Sequence, residues 1–147
     1  MQIADILNKD NVLLLGDGLS KRQVLELLAQ KAAKTSGVDE RTLFDALLER
    51  ENLGSTAFGK GIAFPHARVP NLEKLQTIFA KVPNSVDFES TDGQNVDLLF
   101  MLISPETSGA DHLTALALMS EAMKDEKKLS AIRATKDVVK IYDILTK

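Results

Sequence analysis

The sequence predicts an α/β domain in three layers, a mixed β-sheet flanked by helices on both faces. Three observations lead there. Apolar residues recur at helical spacing between capping signals near the start, the middle of the chain carries short strand-like runs, and helical spacing returns towards the end. The run Leu98–Ile103 is apolar throughout, which suits a central strand covered from both sides. With 147 residues, 44% hydrophobic and 27% charged, a single domain over 1–147 can bury its own core.

Ser20-Lys21-Arg22-Gln23 reads as a capping box, and a helix from about Lys21 to Lys34 follows, with Val24, Leu25, Leu27, Leu28 and Ala32 broadly on one side. Gly37 is placed to end it. A second helix begins near Asp39, where Asp39 and Glu40 complement the dipole, and it carries Leu43, Phe44, Leu47 and Leu48, with Arg50 in its last turn and Gly54 as its stop. From Gly54 to His66 helical periodicity disappears; a turn leads into a short buried strand over roughly Gly61–Phe64 that Pro65 ends. Thr77–Val82 and Val96–Ile103 are the next strands, with Asp92-Gly93 as a turn between them. Ser104–Gly109 forms a polar loop. A third helix over about Asp111–Lys124 is expected to bury Leu113, Leu116, Ala117 and Met119 or Ser120. Short helices at Leu129–Ala134 and Lys136–Leu145 close the chain, the last bearing Val138, Val139, Ile141, Tyr142 and Leu145.

Composition removes several functions. Lys and Arg total 18 against 21 Asp and Glu, a net charge of −3, which opposes binding to nucleic acid or to an anionic membrane surface and leaves proteins or small molecules as partners. No apolar run approaches the roughly 20 residues of a membrane span, and Met1–Leu7 contains Gln2 and Asp5 without the basic start of a signal peptide. A cytoplasmic protein with no membrane insertion is expected. The absence of Cys excludes disulfides, thiolate metal sites and cysteine nucleophiles, so imidazole chemistry falls to His66 and His112.

His66 follows Pro65 at the predicted end of a strand, where loops place functional groups on a rigid support. Gly59 and Gly61, lacking a Cβ, can bring backbone amides close to an anion. His112 stands beside Asp111 at the predicted start of the third helix, whose free amides and positive dipole end suit a phosphate or carboxylate. The Arg50 guanidinium can grip two phosphoryl oxygens. Each also has a reading without chemistry: His66 as a loop histidine, Asp111 as an N-cap with His112 exposed behind it, Arg50 as a dipole partner. A zinc site from the two His with Asp111 or Glu106 lacks the spacing of a zinc helix. Neither GxSxG nor a phosphate-binding glycine motif occurs, and Gly59-Lys60-Gly61 is too short to count as one. What remains needs no metal or cofactor: an imidazole nucleophile accepting a phosphoryl group held by amides, a second imidazole and an Arg.

Leu48-Glu49-Arg50-Glu51-Asn52-Leu53-Gly54-Ser55-Thr56, Gly59-Lys60-Gly61-Ile62-Ala63-Phe64-Pro65-His66, Val96-Asp97-Leu98-Leu99-Phe100 and His112-Leu113 together resemble the enzyme IIA domains of the fructose/mannitol class of the bacterial phosphoenolpyruvate-dependent phosphotransferase system. The likeness covers essentially the whole chain and is closest to the free-standing nitrogen-type enzyme IIA. Ala67 stands where members often have Gly, and Thr114 where nitrogen-type proteins often have a further His. The resemblance implies that His66 accepts a phosphoryl group from an HPr-like phosphocarrier. It implies further that His112 hydrogen-bonds that group or steadies His66, that Arg50 neutralises its charge, and that Ser55, Thr56 and Gly61 shape the phosphoryl site. The phosphorylation state would then regulate target proteins. Two alternatives are a sugar-specific subunit passing the group to a separate IIB, and an anion-sensing adaptor without covalent chemistry.

Overall fold

A computed structural model describes residues Met1–Lys147. The apolar run becomes the central strand β6 (Val96–Pro105), and its alternation sets both layers. Leu99, Met101 and Ile103 pack against Val24, Leu25 and Leu28 of α2 (Lys21–Ser36) and Leu43, Phe44 and Leu47 of α3 (Glu40–Leu53). Leu98, Phe100 and Leu102 face the opposite way, onto α1 (Ile3–Ile6), α4 (Ala110–Ala122), α5 (Glu126–Ala134) and α6 (Val138–Thr146). The predicted three-layer α/β arrangement is the one observed, and β6 is buried from both sides.

The sheet runs β1 (Val12–Leu14), β5 (Gln76–Val86), β6, β3 (Ile62–Ala63), β2 (Ala57–Gly59), with β5 antiparallel to β6, β1 parallel to β5, β3 parallel to β6 and β2 antiparallel to β3. The predicted caps form. Ser20 Oγ accepts from the Gln23 amide at 3.2 Å and Gln23 Oε1 from the Ser20 amide at 2.9 Å, while the Asp39 carboxylate accepts from the Thr42 amide at 3.1 Å. Lys81 donates to the carbonyls of Ile132, Arg133 and Thr135 and so closes the C-terminus of α5 from the sheet.

Four features depart from the sequence reading. First, α1, a single 3-10 turn at Lys9–Asn11 and β1 precede α2; each is too short to show a period. Second, the strand does not finish at Pro65. Proline has no amide to donate, so the strand breaks there and resumes as β4 (His66–Val69), which pairs with β6 at Leu102–Pro105 while β3 pairs at Leu98–Leu99. Third, β2 and β3 form a tight hairpin whose turn residues Lys60 and Gly61 both have positive φ. Fourth, α4 is rotated from the expected phase. His112, Ala115 and Met119 are buried, whereas Leu113 is 65% exposed and Ala117 lies on the surface. Apolar residues surround most of α4, so hydropathy alone gives several equivalent stripes and a histidine on the true one hides it.

The chain ends meet. Gln2 and Ile3 line one cavity with Leu145, Thr146 and Lys147, against Leu118, Glu121 and Ala122 of the last turns of α4. No helix is long and apolar enough to cross a membrane.

Candidate active site

The break at Pro65 builds the first half of the site. The Pro65 carbonyl accepts the Leu102 amide at 2.9 Å, and the Phe64 amide donates to the Thr56 carbonyl at 3.0 Å. The Phe64 carbonyl accepts from His66 Nδ1 at 2.8 Å. A carbonyl oxygen can only accept, so Nδ1 carries the hydrogen and Nε2 keeps its lone pair. Burial pushes the His66 pKa below its ordinary value; the Phe64 bond opposes this, the Arg50 charge adds to it and the Glu51 charge opposes it. His66 is therefore a neutral imidazole with a defined nucleophilic nitrogen at neutral pH.

His112 supplies the second half. It sits in the first turn of α4, 5% exposed, with its ring centroid 5.6 Å from that of His66 and the planes inclined at 59°. Its Nδ1 is hydrogen-bonded to Ser104 Oγ on β6. Burial first, then the charge of Arg68 and the neighbouring His66, lower its pKa to about 4, so it too is neutral. The N-cap of α4 is Gly109, not Asp111, and no side chain caps it. Asp111 lies inside the first turn.

Arg50 occupies the last turn of α3, where its Nη1 donates to the Gly54 carbonyl at 2.8 Å, and its positive charge reaches His66. Ser55 and Thr56 follow, but their polar groups serve the loop itself. Ser55 Oγ donates to the Phe88 carbonyl at 2.7 Å and accepts from the Ala57 amide at 3.1 Å. The Thr56 amide donates to the Glu51 carboxylate at 3.1 Å, and the Thr56 hydroxyl bonds to the same group. Gly61 is elsewhere. Its carbonyl accepts the Leu98 amide at 3.1 Å, four residues along β6 from the Leu102 partner of His66, a separation of about 13 Å at ordinary strand rise. A Cβ there would lie 2.9 Å from both Arg133 Nη2 and Asp97 Oδ1. Gly61 thus makes room for the Asp97–Arg133 ion pair and does not adjoin His66.

Three residues that the sequence reading did not single out complete the surroundings. Glu51, 5% exposed, pairs with Lys21 Nζ at 2.8 Å. It continues the 43, 47, 51 stripe of α3, so a charge on a buried helical face was the available signal. Arg68 is two residues beyond His66 on the same face of β4; it donates to Ser108 Oγ at 2.7 Å and to the Gly109 carbonyl at 3.2 Å, lacing β4 to the start of α4. Ser104 is the third. No group of three or more His, Cys, Asp or Glu side chains is placed to hold a metal ion.

The family described as "Phosphoenolpyruvate-dependent sugar phosphotransferase system, EIIA 2" matches residues 5–147. The chain belongs to this family. As a type-2 enzyme IIA it is 45% identical over 145 residues to a nitrogen regulatory protein of Bradyrhizobium diazoefficiens, covering 99% of this chain and 95% of that one. The nitrogen regulatory protein IIA-Ntr from Neisseria meningitidis has the same fold, with a TM-score of 0.90 at 27% identity over 98% of this chain and 99% of that chain. A fructose-specific EIIABC component of Bacillus subtilis is 30% identical over 99% of this chain, which spans 23% of that longer protein. Membership makes the chain a phosphotransfer component of the phosphotransferase system, and the nitrogen regulatory proteins are among its relatives.

Proposed function

We propose that His66 Nε2 accepts a phosphoryl group from the phosphohistidine of an HPr-like carrier in the cytoplasm, and that the resulting charge regulates target proteins. The observation that carries this reading is the bond from His66 Nδ1–H to the Phe64 carbonyl, which leaves Nε2 as the free lone pair. The bond between phosphorus and the donor nitrogen breaks as the bond to Nε2 forms. The donor nitrogen recovers its electron pair, His66 keeps its Nδ1 hydrogen on Phe64, and no proton has to leave. Transfer of an already activated group requires positioning and charge stabilisation more than a metal. Arg50 and Arg68 supply positive charge beside the two imidazoles, and the uncapped start of α4 supplies amides.

Phosphorylation adds about −1.5 to −2 charges at neutral pH. Exposed apolar side chains lie next to the site: Leu113, 65% exposed, follows His112, and Phe58, 54% exposed, stacks edge-on against Phe64, whose carbonyl holds His66. A dianion introduced among these side chains changes docking by local electrostatics rather than through the small net charge. The 45% identity to a nitrogen regulatory protein along nearly the whole chain favours regulated targets as the readout. The likeness to a fructose-specific component favours a second reading, transfer onward to a IIB domain.

Incubation with phosphoenolpyruvate, enzyme I and an HPr-type carrier tests the proposal. The intact mass gains one phosphoryl group, and His66→Ala gains none; full labelling of that variant would refute the assignment. Mixing the phosphorylated protein with IIB domains separates the two readings, since movement of label to a IIB cysteine supports the transport role.

A further inference from the structure

Ser104 occupies an unusual place in the site. On β6 it is the register partner of Arg68, as Leu102 is of His66, so its side chain lies on the same face of the sheet one step beyond the acceptor. It is fully buried, and its hydroxyl has a single hydrogen-bond partner, His112 Nδ1. A neutral imidazole has one donor and one acceptor nitrogen, and a hydroxyl can play either part, so two arrangements satisfy this contact. If Nδ1–H donated to Ser104, the hydroxyl hydrogen would be left buried without an acceptor. If the hydroxyl donates to Nδ1, the hydrogen is satisfied and the ring hydrogen moves to Nε2.

We propose that Ser104 is a positioning residue that holds His112 in the Nε2–H tautomer by donating its hydroxyl hydrogen to His112 Nδ1. Nε2 is the remaining polar atom of that ring, and His66 is the neighbouring imidazole. A donor at Nε2 attracts phosphoryl oxygens, whereas a lone pair there repels them. Ser104 therefore decides whether the second imidazole grips or opposes a phosphoryl group on His66. The inference rests on the reading that His66 carries that group. Its first half, the tautomer, stands on the unphosphorylated protein.

Side-chain nitrogen NMR of the 15N-labelled protein at neutral pH reads the tautomer directly. The expected spectrum has His112 protonated at Nε2, with Nδ1 shifted as a hydrogen-bond acceptor. In Ser104→Ala a measurable Nδ1–H population appears, and the phosphoryl group on His66 is lost about three- to tenfold faster, the value of one neutral hydrogen bond. Ser104→Thr, which keeps a hydroxyl at that site, restores both. An Nδ1–H ring in the parent protein overturns the proposal, as does Ser104→Ala with parental tautomer populations and phosphoryl lifetime. Failure of the parent to gain a phosphoryl group would instead count against His66 as the acceptor, and the NMR result would still decide the tautomer.

Discussion

Glu51 and Lys21 form an ion pair of 2.8 Å directly beneath the loop that carries Ser55 and Thr56. The carboxylate is 1% exposed and also holds the Thr56 amide and hydroxyl, while Lys21 lies over the Phe88 ring and donates to the Phe88 carbonyl. One buried acid thereby ties the end of α3, the start of α2 and the 54–56 loop together.

Glu51→Ala leaves the Lys21 ammonium and two Thr56 donors without their partner. Loss of about 3–5 kcal/mol is expected by urea unfolding, as for other broken buried pairs. Glu51→Gln, which still offers an acceptor, should lose less.

His112 makes folding sensitive to acid. Its pKa falls from the ordinary 6.5 to about 4 on folding, so between those values the unfolded chain binds more protons than the folded one and stability rises with pH. Acidification from pH 7 should cost on the order of 3 kcal/mol from this group, beginning near 6.5 and complete near 4. Thermal melts of the parent and His112→Gln across that range measure it; the contribution disappears in the variant.

Arg50→Gln removes a charge that lowers the His66 pKa, so His66 should titrate at higher pH in the variant when followed by NMR. Removing the same charge from the transferring group should slow phosphoryl acceptance about a hundredfold. The fold is unaffected, because Arg50 makes one surface bond, to the Gly54 carbonyl.

Gly61→Ala separates architecture from chemistry. The residue has φ of +78° and a new Cβ would meet Arg133 and Asp97 at 2.9 Å, so a loss of about 1–3 kcal/mol in thermal stability is expected. Phosphoryl acceptance per folded molecule should match the parent.

Helix and strand positions were legible because α2, α3 and β6 carry complete periods and strong caps. The phase of α4 was not, since Leu113 and Leu116 compete with Ala115 and Met119 and the deciding residue is a buried histidine. His66, His112 and Arg50 stand out as rare or bidentate groups; the two rings lie 5.6 Å apart and the Arg50 charge acts on His66. Gly61 misled because glycine marks both anion cradles and tight hairpins, and only the pairing of β2 with β3 tells them apart. Ser104 and Arg68 were hidden by pairing across β4 and β6, a relation between positions far apart in the chain.

The meeting of the two chain ends has a consequence for modular architecture. They lie beside the last turns of α4, whereas His112 is in its first, roughly 14 Å away along the axis. Most of the length of α4 thus separates the chain ends from the paired imidazoles. Joined through either end to a longer polypeptide, as the related sequence in the Bacillus subtilis protein is, the domain would carry the added chain at the far end of α4 from His112.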